Sequence, residues 1–128
     1  MAIRSNLCRR LVRALGKRAP ALTPYELDKA LADWQLLDVA GAVVMIKGAE
    51  MHVGAVPAVR GKWFGPRAVR IMSEVLHRHG RIETLVMKDH ALGHAFARRL
   101  GFEQVGDSGA AIRYELRKLR HAKSSSTA

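Results

Sequence analysis

Residues 52 to 65 read HVGAVPAVRGKWFG, an apolar run and a proline followed by a basic, glycine-bearing loop. The run from Met51 to Val56 predicts a buried strand. Pro66 suits the first turn of a helix, and Arg67 to His79 carry a helical pattern. The loop Arg60 to Gly65 is therefore expected at a helix N-terminus, where unpaired backbone N–H groups and the positive end of the helix dipole favour phosphate oxygens. Any basic strand-to-helix turn reads this way, so the loop needs a second landmark.

Elements can be placed outward from that loop. Upstream, Trp34 to Val39 and Ala42 to Lys47 are strand-like with Gly41 between them, and Gly48-Ala49 turns tightly into the strand that begins near Glu50. These make an antiparallel meander. Downstream, Ala68, Val69, Met72, Val75, Leu76 and His79 share one helix face, and Gly80 stops the helix. Ile82 to Met87 is then a buried strand, parallel to the third because a helical crossover joins them. A helix over 90–100, a strand over 102–106, a turn at Asp107-Ser108-Gly109 and a strand from Ala111 to Leu119 complete the core.

Before the meander, residues 1–19 carry Arg4, Arg9, Arg10, Arg13, Lys17 and Arg18 with no acid. Ile3, Leu7, Leu11, Val12 and Leu15 recur at helical spacing, which predicts a basic amphipathic helix docked by its apolar stripe. Ala19-Pro20 ends it. Thr23-Pro24-Tyr25-Glu26 supplies an N-cap, a first-turn proline and a capping-box glutamate for a second helix running to about Asp33.

The second landmark is His90 to Phe102, HALGHAFARRLGF, expected as a helix packed by Leu92, Ala95, Phe96 and Leu100 and closed by Gly101. Together the two stretches resemble the acetyl-CoA-dependent GNAT N-acyltransferases. That family's central motif has the form V-x-P-x-x-R/Q-G-x-G-x-G, then a helix, a strand, and N-x-x-A-x-x-F-Y-x-x-x-G-F. The resemblance spans Trp34 to Leu119. It implies an α/β (α+β) fold: a mixed, mostly antiparallel sheet of about six strands with a central splayed parallel pair, flanked by about four helices. It also implies acetyl-CoA, with pantetheine on the backbone of Gly54, Ala55 and Val56 and pyrophosphate on Arg60, Gly61, Lys62, Trp63, Phe64 and Gly65. His90 and Phe96 fall on the family's cofactor-side helix positions.

The departures bear on chemistry. Trp63 stands where the family has the middle glycine of the loop, His90 where it has asparagine, and Ala97 where many members carry the tyrosine proposed to protonate the departing thiolate. Trp63 either covers the cofactor or plugs a cavity. Acyl transfer to an amine needs a base, and Glu50 falls where one branch of the family places a catalytic glutamate. Alternation puts His52 on the same strand face, so both are candidate catalytic residues. Protonation of the thiolate is left to water, His90 or Tyr114. His90 and His94 lie four apart beside Asp89, but no third ligand is spaced for a metal, and none is expected.

Composition bounds the rest. The 128 residues, 48% apolar, suit one domain over 1–120, with a basic helical region at 1–33, an acetyl-CoA-binding core at 34–119 and a disordered tail at 121–128. No apolar run approaches the ~20 residues of a membrane span, so a cytoplasmic protein is expected. Cys8 is alone and reads as a small apolar residue on a helix. A net charge of +11 attracts polyanions, coenzyme A and nucleic acid alike. Two readings of different class stand. One is an N-acetyltransferase acting on an unknown amine, with homodimerisation frequent in the family. The other is a catalytically degenerate binding or structural module like the small GNAT-like proteins of bacteriophages, located in a host cytoplasm or a virion.

Overall fold

A computed structural model describes residues 2–15 and 23–119. The expected end of the first helix at Ala19-Pro20 and the expected tail at 121–128 lie outside the described residues. Four α-helices and six strands are described: α1 (Ala2–Leu15), α2 (Pro24–Ala30), β1 (Gln35–Val39), β2 (Ala42–Lys47), β3 (Glu50–Gly54), α3 (Pro66–His79), β4 (Ile82–Met87), α4 (Ala91–Leu100), β5 (Glu103–Ser108) and β6 (Ala111–Leu116). The strands form one mixed sheet in the order β1-β2-β3-β4-β6-β5. Its single parallel pair is β3 with β4, in register at Glu50 and Glu83. No described helix is long and apolar enough to cross a membrane.

The chain divides into two compact units, Met1–Lys47 with Met51–Ala68, and Gly48–Glu50 with Val69–Ala128. In the first, the stripe of α1 builds the core. Leu7 and Leu11 are buried with Leu27 of α2 and Val43 of β2, and Val12, Leu31, Leu36 and Met45 pack around them. Cys8 is buried in the same helix, and burial, followed by the nearby Asp28 carboxylate, pushes its thiol pKa up. The α2 capping box forms as the sequence predicts: the Glu26 N–H donates to Thr23 Oγ1 at 3.1 Å and the Thr23 N–H to Glu26 Oε1 at 3.0 Å. The helix nonetheless stops at Ala30 rather than Asp33. There Arg4 of α1 donates to the Leu31 and Trp34 carbonyls and pairs with Asp28, so a basic residue of α1 satisfies acceptors that the ending helix leaves over.

Strand β3 ends at Gly54, two residues short of the expected Val56, and a 3-10 turn follows at Pro57–Val59. Pro57 has no N–H to give a ladder, which favours ending the strand before it. At Gly54 a side chain of α1 takes the place a Cβ would have. A Cβ at this position would lie 2.5 Å from Leu11 Cδ2 and 3.6 Å from Ala14 Cβ.

In the second unit, β4 pairs antiparallel with β6, and β6 with β5. The bounds of β5 and β6 differ from expectation: β5 runs two residues further, to Ser108, and β6 stops at Leu116. A register shift between Gln104 and Gly106 leaves Val105 in a bulge, which lengthens β5 relative to its partner. On α3, Ala68, Met72 and Val75 are buried as expected, but His79 is exposed. On α4 the packed face differs in part from the reading. Leu92 is 71% exposed and Ala95 is exposed, whereas Leu100 is buried and Phe96 half-buried as expected, and Ala97 is buried beside them on the chain. Gly101 closes α4 at φ 107° with the Phe102 N–H donating to Ala97 O at 3.0 Å, a left-handed cap that glycine adopts without strain.

Two outcomes test this packing. Gly54→Ala overpacks the contact with Leu11 and is expected to cost about 1–3 kcal/mol in chemical denaturation, with part of that cost removed in a Leu11→Ala background. Asp38 is held below the ordinary aspartate range, first by its hydrogen bond from Arg10 and also by the Gly41 N–H and by Arg67. A lowered folded pKa means its contribution is present above the unfolded value and lost as pH falls through the folded one. Asp38→Asn should therefore lower stability slightly near neutrality, the pair being half exposed, and the difference from the wild type should vanish as pH falls below about 4.

Candidate active site

The loop that opens α3 is built entirely within the first unit. After β3 the Val59 N–H donates to Val56 O and the Lys62 N–H to Val59 O, both at 3.0 Å, so the chain coils tightly before the helix begins. Arg60 Nε donates to Ala55 O at 3.3 Å, folding that guanidinium back onto the segment after β3. Gly61 takes φ 75°, and a Cβ on either Gly61 or Gly65 would meet nothing within 4 Å. The backbone there is open to close approach. Pro66 removes an N–H that the start of the helix would otherwise present.

Charge at this helix start is partly consumed by the protein itself. Arg67 donates to the Asp38 carbonyl, Arg10 pairs with the Asp38 carboxylate at 3.0 Å, and the Gly41 N–H donates to the same carboxylate at 3.2 Å. Lys62 remains exposed. Trp63 is 6% exposed and meets Phe64 edge-on, with ring centroids 5.6 Å apart. Its indole lies within the packed protein, not as a face open to solvent.

His52 and Glu50 share one face of β3 by strand alternation but have separate neighbours. His52 lies against Trp34, with ring centroids 5.5 Å apart, and Lys47 sits over the other ring at 5.9 Å. Glu50 instead belongs to a row of carboxylates. It stands opposite Glu83, Glu83 opposite Glu115, and Glu115 opposite Glu103, one on each of four neighbouring strands. Like charges opposite one another destabilise a sheet. Arg81 offsets this, with Nε 2.6 Å from Glu83 and 4.0 Å from Glu115, and Arg117 Nη2 lies 2.7 Å from Glu115. Glu50, Glu83 and Glu115 line an open groove of about 320 Å³ with Leu85, Val105 and Arg113. Glu83 and Glu115 belong to no motif, and the strand register is what brings them beside Glu50.

On α4, His90 starts the helix without a side-chain cap bond, and its ring lies over Gly93: a Cβ there would be 2.5 Å from His90 Cδ2 and 2.9 Å from Val86 Cγ1. Phe96 is half-buried beneath the Arg99 guanidinium, 5.4 Å from its ring. His94 and Tyr114 form a defined pair. His94 Nε2 is 2.9 Å from the Met87 carbonyl, which can only accept, so Nε2 carries the proton and Nδ1 accepts from the Tyr114 hydroxyl at 2.7 Å. Tyr114 is 2% exposed, and its proton is committed to His94. Both imidazole nitrogens of His94 are thus engaged, and among the described residues no three His, Cys, Asp or Glu side chains group to hold a metal.

Comparison with solved structures bears on the arrangement as a whole. A spermidine N-acetyltransferase chimera of SpeG from Vibrio cholerae and hSSAT matches with a TM-score of 0.64 at 14% identity, over 95% of this chain and 95% of that one. The PaiA N-acetyltransferase of Thermoplasma acidophilum, solved with coenzyme A, matches at 0.61 and 13% identity, over 91% and 94%. YncA of Salmonella typhimurium, solved with acetyl-CoA, matches at 0.59 and 17% identity, over 94% and 91%. This is the GNAT acetyltransferase fold. No family model and no curated protein matches the sequence. The GNAT likeness therefore rests on the course of the chain.

Replacing Tyr114 by Phe removes one half-buried hydrogen bond. It should cost about 0.5–1.5 kcal/mol in thermal or chemical denaturation. Gly93→Ala should displace the His90 ring, seen as a shift of its imidazole proton resonances with the α4 amide pattern retained.

Proposed function

We propose that this protein is an acetyl-CoA-dependent N-acyltransferase whose acceptor is an amine. The observation that carries the reading is the open, glycine-bearing backbone of Arg60–Gly65 at the N-terminus of a 14-residue helix, within a fold whose neighbours PaiA and YncA bind coenzyme A and acetyl-CoA. In this reading the loop from Arg60 to Gly65 takes the pyrophosphate, and the backbone of Gly54, Ala55 and Val56 takes pantetheine. His90 and Phe96 serve on the α4 side, while Trp63 supports the loop from within.

Acetyl-CoA supplies an activated thioester, whose carbonyl carbon bonds to the amine nitrogen as the carbon–sulfur bond breaks. Glu50 takes a proton from the acceptor's ammonium, directly or through water, freeing the lone pair that attacks, with His52 as the alternative base on the same strand face; the second proton of that nitrogen passes to solvent as the tetrahedral adduct collapses. Ala97 offers no acid, and the Tyr114 proton is held by His94. That leaves water or His90 to protonate the departing thiolate, and water suffices because an ordinary thiol has a pKa of about 8.5.

The second reading, a GNAT-fold module that has lost catalysis, is favoured by Ala97 and by the buried Trp63. Titration calorimetry with acetyl-CoA separates the two. Gly65→Glu places a carboxylate in the phosphate cradle without a steric clash, since a Cβ there meets nothing. Micromolar binding by the wild type, weakened at least about tenfold by Gly65→Glu, supports the enzyme. Absence of binding by the wild type refutes it in favour of the module. In an acceptor screen, Glu50→Gln should lower turnover about a hundredfold while leaving acetyl-CoA affinity unchanged.

A further inference from the structure

The groove beside Glu50 carries a cation that the protein's own ion pairs leave unused. Arg81 takes Glu83 and reaches Glu115, and Arg117 takes Glu115, so two of the groove's carboxylates are answered by arginines that do not line it. Arg113 does line it, two residues from Glu115 on the same strand face and opposite Leu85. Yet among the described residues Arg113 enters no ion pair and no hydrogen bond. Its stem lies across Gly106, its partner on β5: a Cβ there would be 3.6 Å from both Arg113 Cδ and Nη1. The bare backbone of that glycine gives the side chain a surface to lie on. The guanidinium is therefore held at the groove wall with its donors unspent.

Resting on the reading of Glu50 as the base, we propose that the acceptor is a short peptide whose N-terminal amine meets Glu50 and whose acidic side chain, about three residues along, binds Arg113. Glu50 and Arg113 line the same open groove, so an amine brought to Glu50 has its remaining length beside Arg113. A guanidinium binds a carboxylate through paired N–H donors and gives up its hydration more readily than an ammonium does. Register sets the length. Only β4 lies between β3 and β6, and Arg113 stands one two-residue step beyond the row of Glu50, Glu83 and Glu115. Strand spacing and rise put the Glu50 and Arg113 Cα atoms about 12 Å apart. Arg113 leans toward β5, away from Glu50, so amine and anion would sit roughly 10 Å from each other. A free amino acid is too short for that span, whereas three extended residues at roughly 3.3–3.6 Å each cover it, crossing the half-exposed Leu85. A polyamine fits worse, because its second cation would face the guanidinium.

The test is titration calorimetry of the full chain, first with coenzyme A and then, with coenzyme A at saturation, with three acceptors. These are the tripeptide amide Ala-Ala-Glu, the tripeptide amide Ala-Ala-Gln, which differs by one charge, and spermidine. The wild type is expected to bind the glutamate peptide at least about tenfold more tightly than the glutamine peptide, and spermidine more weakly than either. Arg113→Gln should make the two peptides bind alike, and Arg113→Lys should keep part of the preference, with far-UV circular dichroism confirming that both variants fold. A wild type that binds the two peptides equally, binds neither, or prefers spermidine overturns the acceptor class, while its binding of coenzyme A leaves the enzyme reading standing. An Arg113→Gln protein that keeps the wild-type ratio overturns the assignment of Arg113. A wild type that does not bind coenzyme A overturns the enzyme reading, and the acceptor role with it.

Discussion

Two strands running in the same direction cannot be joined by a hairpin, and this constraint organises the chain. The pairing of Glu50 with Glu83 fixes β3 and β4 as parallel, so the polypeptide must return through a crossover, and α3 is that crossover. A crossover helix has to begin after the C-terminal end of the first strand. The loop with its exposed backbone follows from the same requirement, because glycine and proline are the residues that let a strand stop and a helix start within eleven positions, 55–65. Fold and candidate site are in this sense one decision of the sequence.

The large positive charge has a different meaning once its neighbours are known. Arg4 closes the end of α2, and Arg10 and Arg67 converge on Asp38. Arg81 and Arg117 separate carboxylates that the register sets opposite one another. Much of the basicity that composition assigns to an external polyanion is thus internal fastening. Arg9, Arg13, Lys29 and Lys62 are among the basic residues that stay exposed in the first unit.

The sequence made element order legible because the pattern changes sharply at each boundary: a short continuous apolar run in β2, a 3.6-residue period in α3, and Gly101 after α4. It misled in part on α4, where Leu92 drew the reading toward the wrong side of the helix. The buried side runs through Gly93, Ala97 and Leu100, and small residues mark close approach without registering as hydrophobic. The stop at Gly54 was hidden by Ala55 and Val56, which look strand-like until the missing N–H of Pro57 is weighed. In the candidate site, the loop and Glu50 were visible from local motifs. The carboxylate row was not, because Glu83, Glu115 and Glu103 meet only through strand pairing across 65 residues of chain, and the commitment of the Tyr114 proton depends on a carbonyl at Met87 that no side-chain pattern reveals.

Strand β5 is the last in the sheet, exposed along nearly its whole length and interrupted by the bulge at Val105. An uninterrupted edge is a template on which any extended peptide can nucleate. The extra residue breaks the hydrogen-bonding repeat there, so a stranger's backbone cannot follow the edge for more than a few residues. Losing one amino acid at this position would therefore be more hazardous than exchanging it. The chain would keep its core yet acquire a regular border along which another strand could pair.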